Sequence, residues 1–144
     1  MQKVVPFRRE HLEWIAAAGN TQLGVFVLTP ADMQALEAQN SWTLLISDGT
    51  PIGCGGTVEQ WKGRHIGWAI LRHDAGKHMK AITRVTRHVL ELARGRIETT
   101  VRADFKNGHR WAKLLGFVVE NPPGILKQYG PEGEAHVSYV MFME

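Results

Sequence analysis

Cysteine occurs once in the 144 residues, at Cys54, so no disulfide can form within the chain. Tyrosine is almost as scarce, at Tyr129 and Tyr139, which leaves two candidates for any step that needs a phenol. No apolar run approaches the roughly 20 residues of a bilayer-spanning helix, and no repeat or low-complexity tract occurs. No charged start followed by an apolar run marks a signal peptide, so the expectation is an intracellular, cytoplasmic protein with no membrane contact. Neither sign of charge dominates: 17 Lys plus Arg against 14 Asp plus Glu leave +3. That excess favours anionic ligands but falls short of a nucleic-acid footprint. With 44% hydrophobic residues, the chain has enough apolar material for one compact domain over 1–144.

Alternating periods give the order of elements. "VVPF" is a short strand, and "REHLEWIAAAG" sets Leu12, Ile15 and Ala16 at helical spacing before Gly19. "LTPADMQALEAQN" predicts a second helix, with Thr29 as N-cap, Pro30 in the first turn, and Met33, Leu36 and Glu37 within it. "WTLLIS" and "IGCGGTV" flank an Asp48-Gly49 turn, a hairpin signal. "RHIGWAIL" is a further strand, and the helix after it places Met79, Ile82, Val85, Val89 and Leu92 on one stripe. Lys80, Arg84, Arg87 and Glu91 face outward from it, a solvated face, which argues against nucleic acid as a partner.

"RIETTVRA" alternates like a strand with two different faces, and a short helix with Trp111, Leu114 and Leu115 closes at Gly116. "FVVE" and "HVSYVMF" end the chain as strands, separated by "PPG" and "GPEG" turns. The strand-helix-strand unit over 64–103 predicts a right-handed crossover between parallel strands. Its bend, residues 72–78, then lies at the carboxyl end of a strand, where ligands favour binding.

This order resembles the GNAT acyltransferase fold over nearly the whole chain, with "GWAIL", the amphipathic helix and "GHRWAKLLGF" as landmarks. "CGGTVEQWKGRHIGWAIL", "ADFKNGHRWAKLLGF" and "YGPEG" resemble, more narrowly, the GNAT-like relatives of a tailed-phage internal virion protein. The resemblance implies an α+β fold of α/β/α sandwich type. It would be a single domain with a mixed, mostly antiparallel sheet and one parallel crossover. It also implies an N-acyltransferase that takes acetyl-CoA as co-substrate and an amine as acceptor; no metal is expected, because His73 and His78 stand five apart across a bend and match no common ligand spacing. The narrower likeness implies instead a catalytically inactive virion or morphogenesis protein, with virion proteins as partners and the host cytoplasm or the virion as location.

In the family, the bend carries Gln or Arg, two residues, Gly, one residue, then Gly or Ala, so that bare backbone N–H groups receive a pyrophosphate. The matching positions here are His73, Gly76 and His78. Arg72 and Lys77 could supply charge, while His78 brings a Cβ to the phosphate's approach and Asp74 could cap the helix from within. The bend is therefore either an altered pyrophosphate loop or a structural turn. The implied cofactor contacts are Ile70, Leu71, Arg72, His73, Gly76, Lys77, His78, Met79 and Lys80, with a backbone N–H near Ile70 or Leu71 serving the thioester carbonyl oxygen.

Transfer to an amine also needs a base and an acid. The family's usual tyrosine position falls on Ala112, so Tyr129 and Tyr139 are the acid candidates, and Glu59 is the base candidate beside His65 and His109. Cys54 among glycines reads as packing, and Trp61 in "EQWKGRH" as a residue of a polar connection that can line a binding surface.

Overall fold

The structure is a computed structural model that describes residues 2–17, 19–23, 30–120 and 125–144. In chain order the elements are β1 Lys3–Val5, α1 Arg9–Ala17, β2 Asn20–Leu23, α2 Pro30–Glu37, β3 Ser41–Leu45, β4 Pro51–Trp61 and β5 Arg64–Arg72. A 3-10 turn, Ala75–His78, leads into α3 Met79–Leu92. There follow β6 Gly95–Arg102, α4 Lys106–Leu115, β7 Val118–Val119, β8 Ile125–Leu126 and β9 His136–Met143.

The strands form one sheet in the order β1-β3-β4-β5-β6-β9-β7, with β2 added beside β5 and β8 beside β9. Each pairing is antiparallel except that of β5 with β6. The expected α+β architecture with one parallel crossover, β5 through α3 to β6, is thus observed. The β3–β4 hairpin turns at Asp48 and Gly49 as the sequence predicts. Gly49 takes φ +86, and Asp48 Oδ1 accepts both the Thr50 N–H (2.9 Å) and the Thr50 hydroxyl.

The period of two divides the sheet's side chains between two cores. On one face Ile97, Val101 and Tyr139 meet Ile82, Val89 and Leu90 of α3 and Trp111, Ala112 and Leu115 of α4. On the other, Cys54, Trp68 and Ile70 meet Phe7, Ile15 of α1 and Leu36 of α2. Burying each large apolar side chain contributes about 1.5–3 kcal/mol before chain entropy is charged against it. Cys54 lies wholly inside, its burial pushing the thiol pKa well up, which removes it as a nucleophile.

Several expectations change. The strand β2 appears between the first two helices, where the sequence pattern gave none. Leu92 and Leu114, expected inside, are exposed at 54% and 59%, and Leu90 and Ala112 are buried instead. The reason is the mutual packing of α3 and α4. The Trp111 Nε1–H donates to Thr83 Oγ1 (3.0 Å) on the Thr83 and Leu90 side of α3, whereas Leu92 lies on the opposite side, at the rim of a groove with Gln39, Thr57 and Arg94. Trp61 is the last residue of β4 rather than part of a connection, and the Arg64 guanidinium lies 4.6 Å from its ring centroid. The proposed N-cap Thr29 and the "PPG" turn at 122–124 lie outside the described residues.

Gly53, Gly55 and Gly56 stand where neighbours come close. A Cβ at Gly56 would stand 2.3 Å from the Asn40 carbonyl oxygen and 2.8 Å from Ser41 Cα, whereas one at Gly76 would meet nothing within 4 Å. Gly56→Ala is therefore expected to lower unfolding stability by about 1–3 kcal/mol, and Gly76→Ala to leave it within about 0.5 kcal/mol. Urea denaturation of both variants checks this, and a neutral Gly56→Ala would contradict the close approach.

Candidate functional site

The parallel pair does not stay together. Although β5 has nine residues and β6 eight, they pair only through Arg64–Ile66 against Arg96–Glu98. β5 continues alongside β4, and β6 alongside β9, so the sheet forks. Ion pairs brace the closed end of the fork. The Arg64 guanidinium donates to both Glu98 oxygens (3.0 and 2.7 Å), and Arg96 bridges Glu98 and Glu120. The Arg64 and Arg96 guanidiniums hold the Glu98 carboxyl below its ordinary pKa.

At the open end a cleft of about 320 Å³ lies between the bend and α4. Ala69, Leu71, Arg72, His73, Ala75, Gly76 and Met79 form one wall, and Phe105, Asn107, Gly108, Arg110 and Trp111 the other. Deeper, where the strands part, a cavity of about 30 Å³ is bounded by Gly67, Ala69, Thr99, Trp111 and Ala112. The Thr99 hydroxyl is buried there with no hydrogen-bond partner among the described residues. That space accepts one small group or a water.

Of the residues the sequence singled out, Leu71, Arg72, His73, Gly76 and Met79 come together in this cleft. Ile70 points the other way, into the core under α1 and α2. Lys77 is exposed, and Lys80 lines a separate groove with Arg84 and Arg87. His78 is the N-terminal flank of α3, its Nδ1 taking the Gln2 amide N–H at 2.7 Å. Asp74 does not cap the helix. Its carboxylate instead takes a fork of two hydrogen bonds from Arg72 Nε and Nη2 (2.9 and 2.7 Å). The guanidinium's hydrogen bonds hold the Asp74 carboxyl down at about 2. Arg72 is therefore neutralised from within the bend.

The α4 wall was not foreseen, and it carries Arg110, which makes no ion pair among the described residues. Its signal in the sequence was only its place one turn into a short helix, which becomes informative once that helix is known to face the bend.

The proton-transfer candidates scatter. Glu59 on β4 pairs with His65 on β5, six residues before Leu71 and so about 20 Å from the bend at the rise of a strand. That separation excludes direct proton transfer between Glu59 and the cleft. Tyr129 is exposed, its ring 5.5 Å from that of His136, which belongs to the opposite sheet face from Tyr139. Tyr139 is on the cleft's side of the sheet but buried. His109 Nε2–H donates to the Ala103 carbonyl (3.0 Å), which leaves Nδ1 to accept the Tyr139 hydroxyl (2.8 Å). Burial raises the Tyr139 pKa, so the phenol stays protonated.

Because Asp74 neutralises Arg72, an anion entering the cleft should depend on Arg110. Arg110→Gln is expected to weaken binding of inorganic pyrophosphate about tenfold, the size of one charge-assisted contact, and Arg72→Gln to change it by less than about threefold. The Asp74 pKa is depressed in the fold, so the bridge's stabilisation is present above the unfolded carboxyl value and is lost only as pH falls through about 2. Acidifying from pH 7 to pH 4 should therefore not release Arg72. Calorimetric titration of both variants checks the ranking, and the reverse order of losses would sink it.

No protein-family model matches the sequence, and no curated protein matches it. Solved structures do match in shape. Ard1 from Thermoplasma volcanium aligns at TM-score 0.74 and 12% identity over 99% of this chain and 98% of its own. A GNAT-family acetyltransferase from Streptococcus pneumoniae aligns at 0.65 and 15%, covering all of both chains. The ribosomal-protein-S18-alanine N-acetyltransferase of Escherichia coli aligns at 0.64 and 12% over 100% and 96%. With the forked sheet and its two helical layers, these likenesses show that the chain has the GNAT fold.

Proposed function

We propose that residues 1–144 are one N-acyltransferase domain that passes an acyl group from acetyl-CoA to an amine. The observation that carries this reading is the cleft at the fork, bounded by the bend on one side and by α4 on the other. An extended thioester arm fits between diverging strands because the edge of β5 supplies backbone donors and acceptors along it. His73 N–H donates to the Gly19 carbonyl at 2.9 Å, so strand alternation turns the backbone groups of Leu71 and Ala69 to that same edge. The Leu71 N–H is the donor for the carbonyl oxygen as negative charge develops on it. Arg110 serves the phosphates. The base of this reading is His73, whose imidazole lines the cleft, in place of Glu59. The acid of this reading is Tyr139 and not Tyr129: its O–H, held by His109 Nδ1 at rest, turns to the leaving thiolate, and the phenolate is then reprotonated from water. Acetyl-CoA, when bound, supplies the activated acyl group; the chain's own part is to bind it, exclude water and move two protons.

A second reading has specific support. The Arg72–Asp74 pair and the engaged Tyr139 hydroxyl leave little of the usual equipment free, as expected of a non-catalytic GNAT-fold protein of a phage virion. A thiol-release assay with acetyl-CoA and a panel of amines separates the two. The acyltransferase reading expects amine-dependent release, reduced at least about tenfold by Tyr139→Phe and untouched by Tyr129→Phe. CoA binding with no amine-dependent release supports the virion protein instead.

A further inference from the structure

We propose that β2 is a displaceable strap, an intramolecular strand that fills the edge of β5 which a thioester ligand needs, and that ligand binding exchanges with it. The proposal rests on the acyltransferase reading, since it concerns access to that same cleft.

Beyond Ile66 the edge of β5 that β6 abandons is not left open. Asn20, Thr21, Gln22 and Leu23 pair antiparallel with Arg72, Leu71, Ile70 and Ala69, so β2 stands inside the fork beside both β5 and β6. The bonded partners are Gly19 with His73, Thr21 with Leu71 and Leu23 with Ala69, by alternation from the observed His73 to Gly19 bond. The Leu71 N–H and C=O are thereby engaged by Thr21. A backbone N–H makes one good hydrogen bond at a time, and an extended amide-bearing arm on this edge would use the same groups in the same geometry. The closed and ligand-bound arrangements therefore exclude each other.

The strap is also built to leave. It is four residues long, pairs with β5 alone among the described residues, and joins two helices that pack on the opposite face from the cleft. Gly19, directly before it, takes φ +85, a conformation other residues rarely adopt, and a Cβ there would lie 3.5 Å from His73 Nδ1. The start of the strap thus sits against the imidazole that the proposed chemistry uses. A chain whose competent state is a minor one binds its ligand more weakly by the open fraction.

A reversible clamp tests this. Asn20 and Arg72 are opposite each other at a non-hydrogen-bonded position, where Cα atoms are about 4.5 Å apart and a disulfide is geometrically allowed. In Asn20→Cys/Arg72→Cys, the oxidised protein should bind CoA at least about tenfold more weakly than the same protein reduced. The comparison within one variant cancels the loss of Arg72, and the buried Cys54 stays out of the exchange. Hydrogen exchange on the wild type gives a second reading. Saturating CoA should speed exchange at the Thr21 and Leu23 amides by about tenfold, while those of Ala69, Leu71 and His73 stay protected by their new partner. Equal affinity in the two redox states, or Thr21 and Leu23 amides unmoved or slowed by bound CoA, overturns the strap and leaves the acyltransferase reading standing. No CoA binding by the wild type or by the reduced variant overturns both.

Discussion

The divergence of β5 from β6 is the constraint on which the rest of this structure depends. Each strand has a better partner on its far side: β5 runs with β4 from Leu71 back to Arg64, and β6 runs with β9 over its whole length. Sheet twist accumulates along both pairs, and three residues of parallel pairing with the Arg64–Glu98–Arg96 ion pairs are what hold them together. Everything beyond that point is created by the parting. The cleft, the small cavity at Thr99 and the exposed edge that β2 takes up all lie within it.

An opened sheet leaves a central strand with an unpaired edge, and buried backbone groups do not stay unpaired. Water, a ligand or another segment of chain can satisfy them. Here a segment does, which explains why a four-residue strand appears between two helices where local propensity gave no reason for one. The same economy operates in the bend, where Asp74 satisfies Arg72. The site is closed by its own residues at two points, the edge and the guanidinium, and both closures consist of hydrogen bonds.

The helical layers fix which residues face this opening. α4 meets α3 through Trp111 and Thr83, and that contact carries Arg110 and Gly108 to the cleft wall while it buries Ala112. With alanine at that position α4 places no phenol there, and Tyr139 stands on the strand side. Its hydroxyl is already donated to a histidine whose other nitrogen is committed to a carbonyl. The two side chains are thereby held as one hydrogen-bonded unit.

Local pattern determined the large features of this protein. The Asp48-Gly49 turn, the alternation of Ile97, Thr99 and Val101, the Gly116 stop and the crossover from β5 to β6 each follow from short-range chemistry, since turn conformation and side-chain period are properties of a few adjacent residues. The sequence likewise placed Leu71, Arg72, His73, Gly76 and Met79 at one bend. Only tertiary structure decided the rest. That Arg72 is spent on Asp74, that Glu59 is about 20 Å away at the rise of a strand, that Leu92 faces water and that Arg110 faces the cleft all depend on which elements pack together. The edge occupied by β2 depends on a hydrogen-bond deficit that exists only after the sheet has forked, and a pairing formed by backbone atoms leaves no mark in the order of side chains.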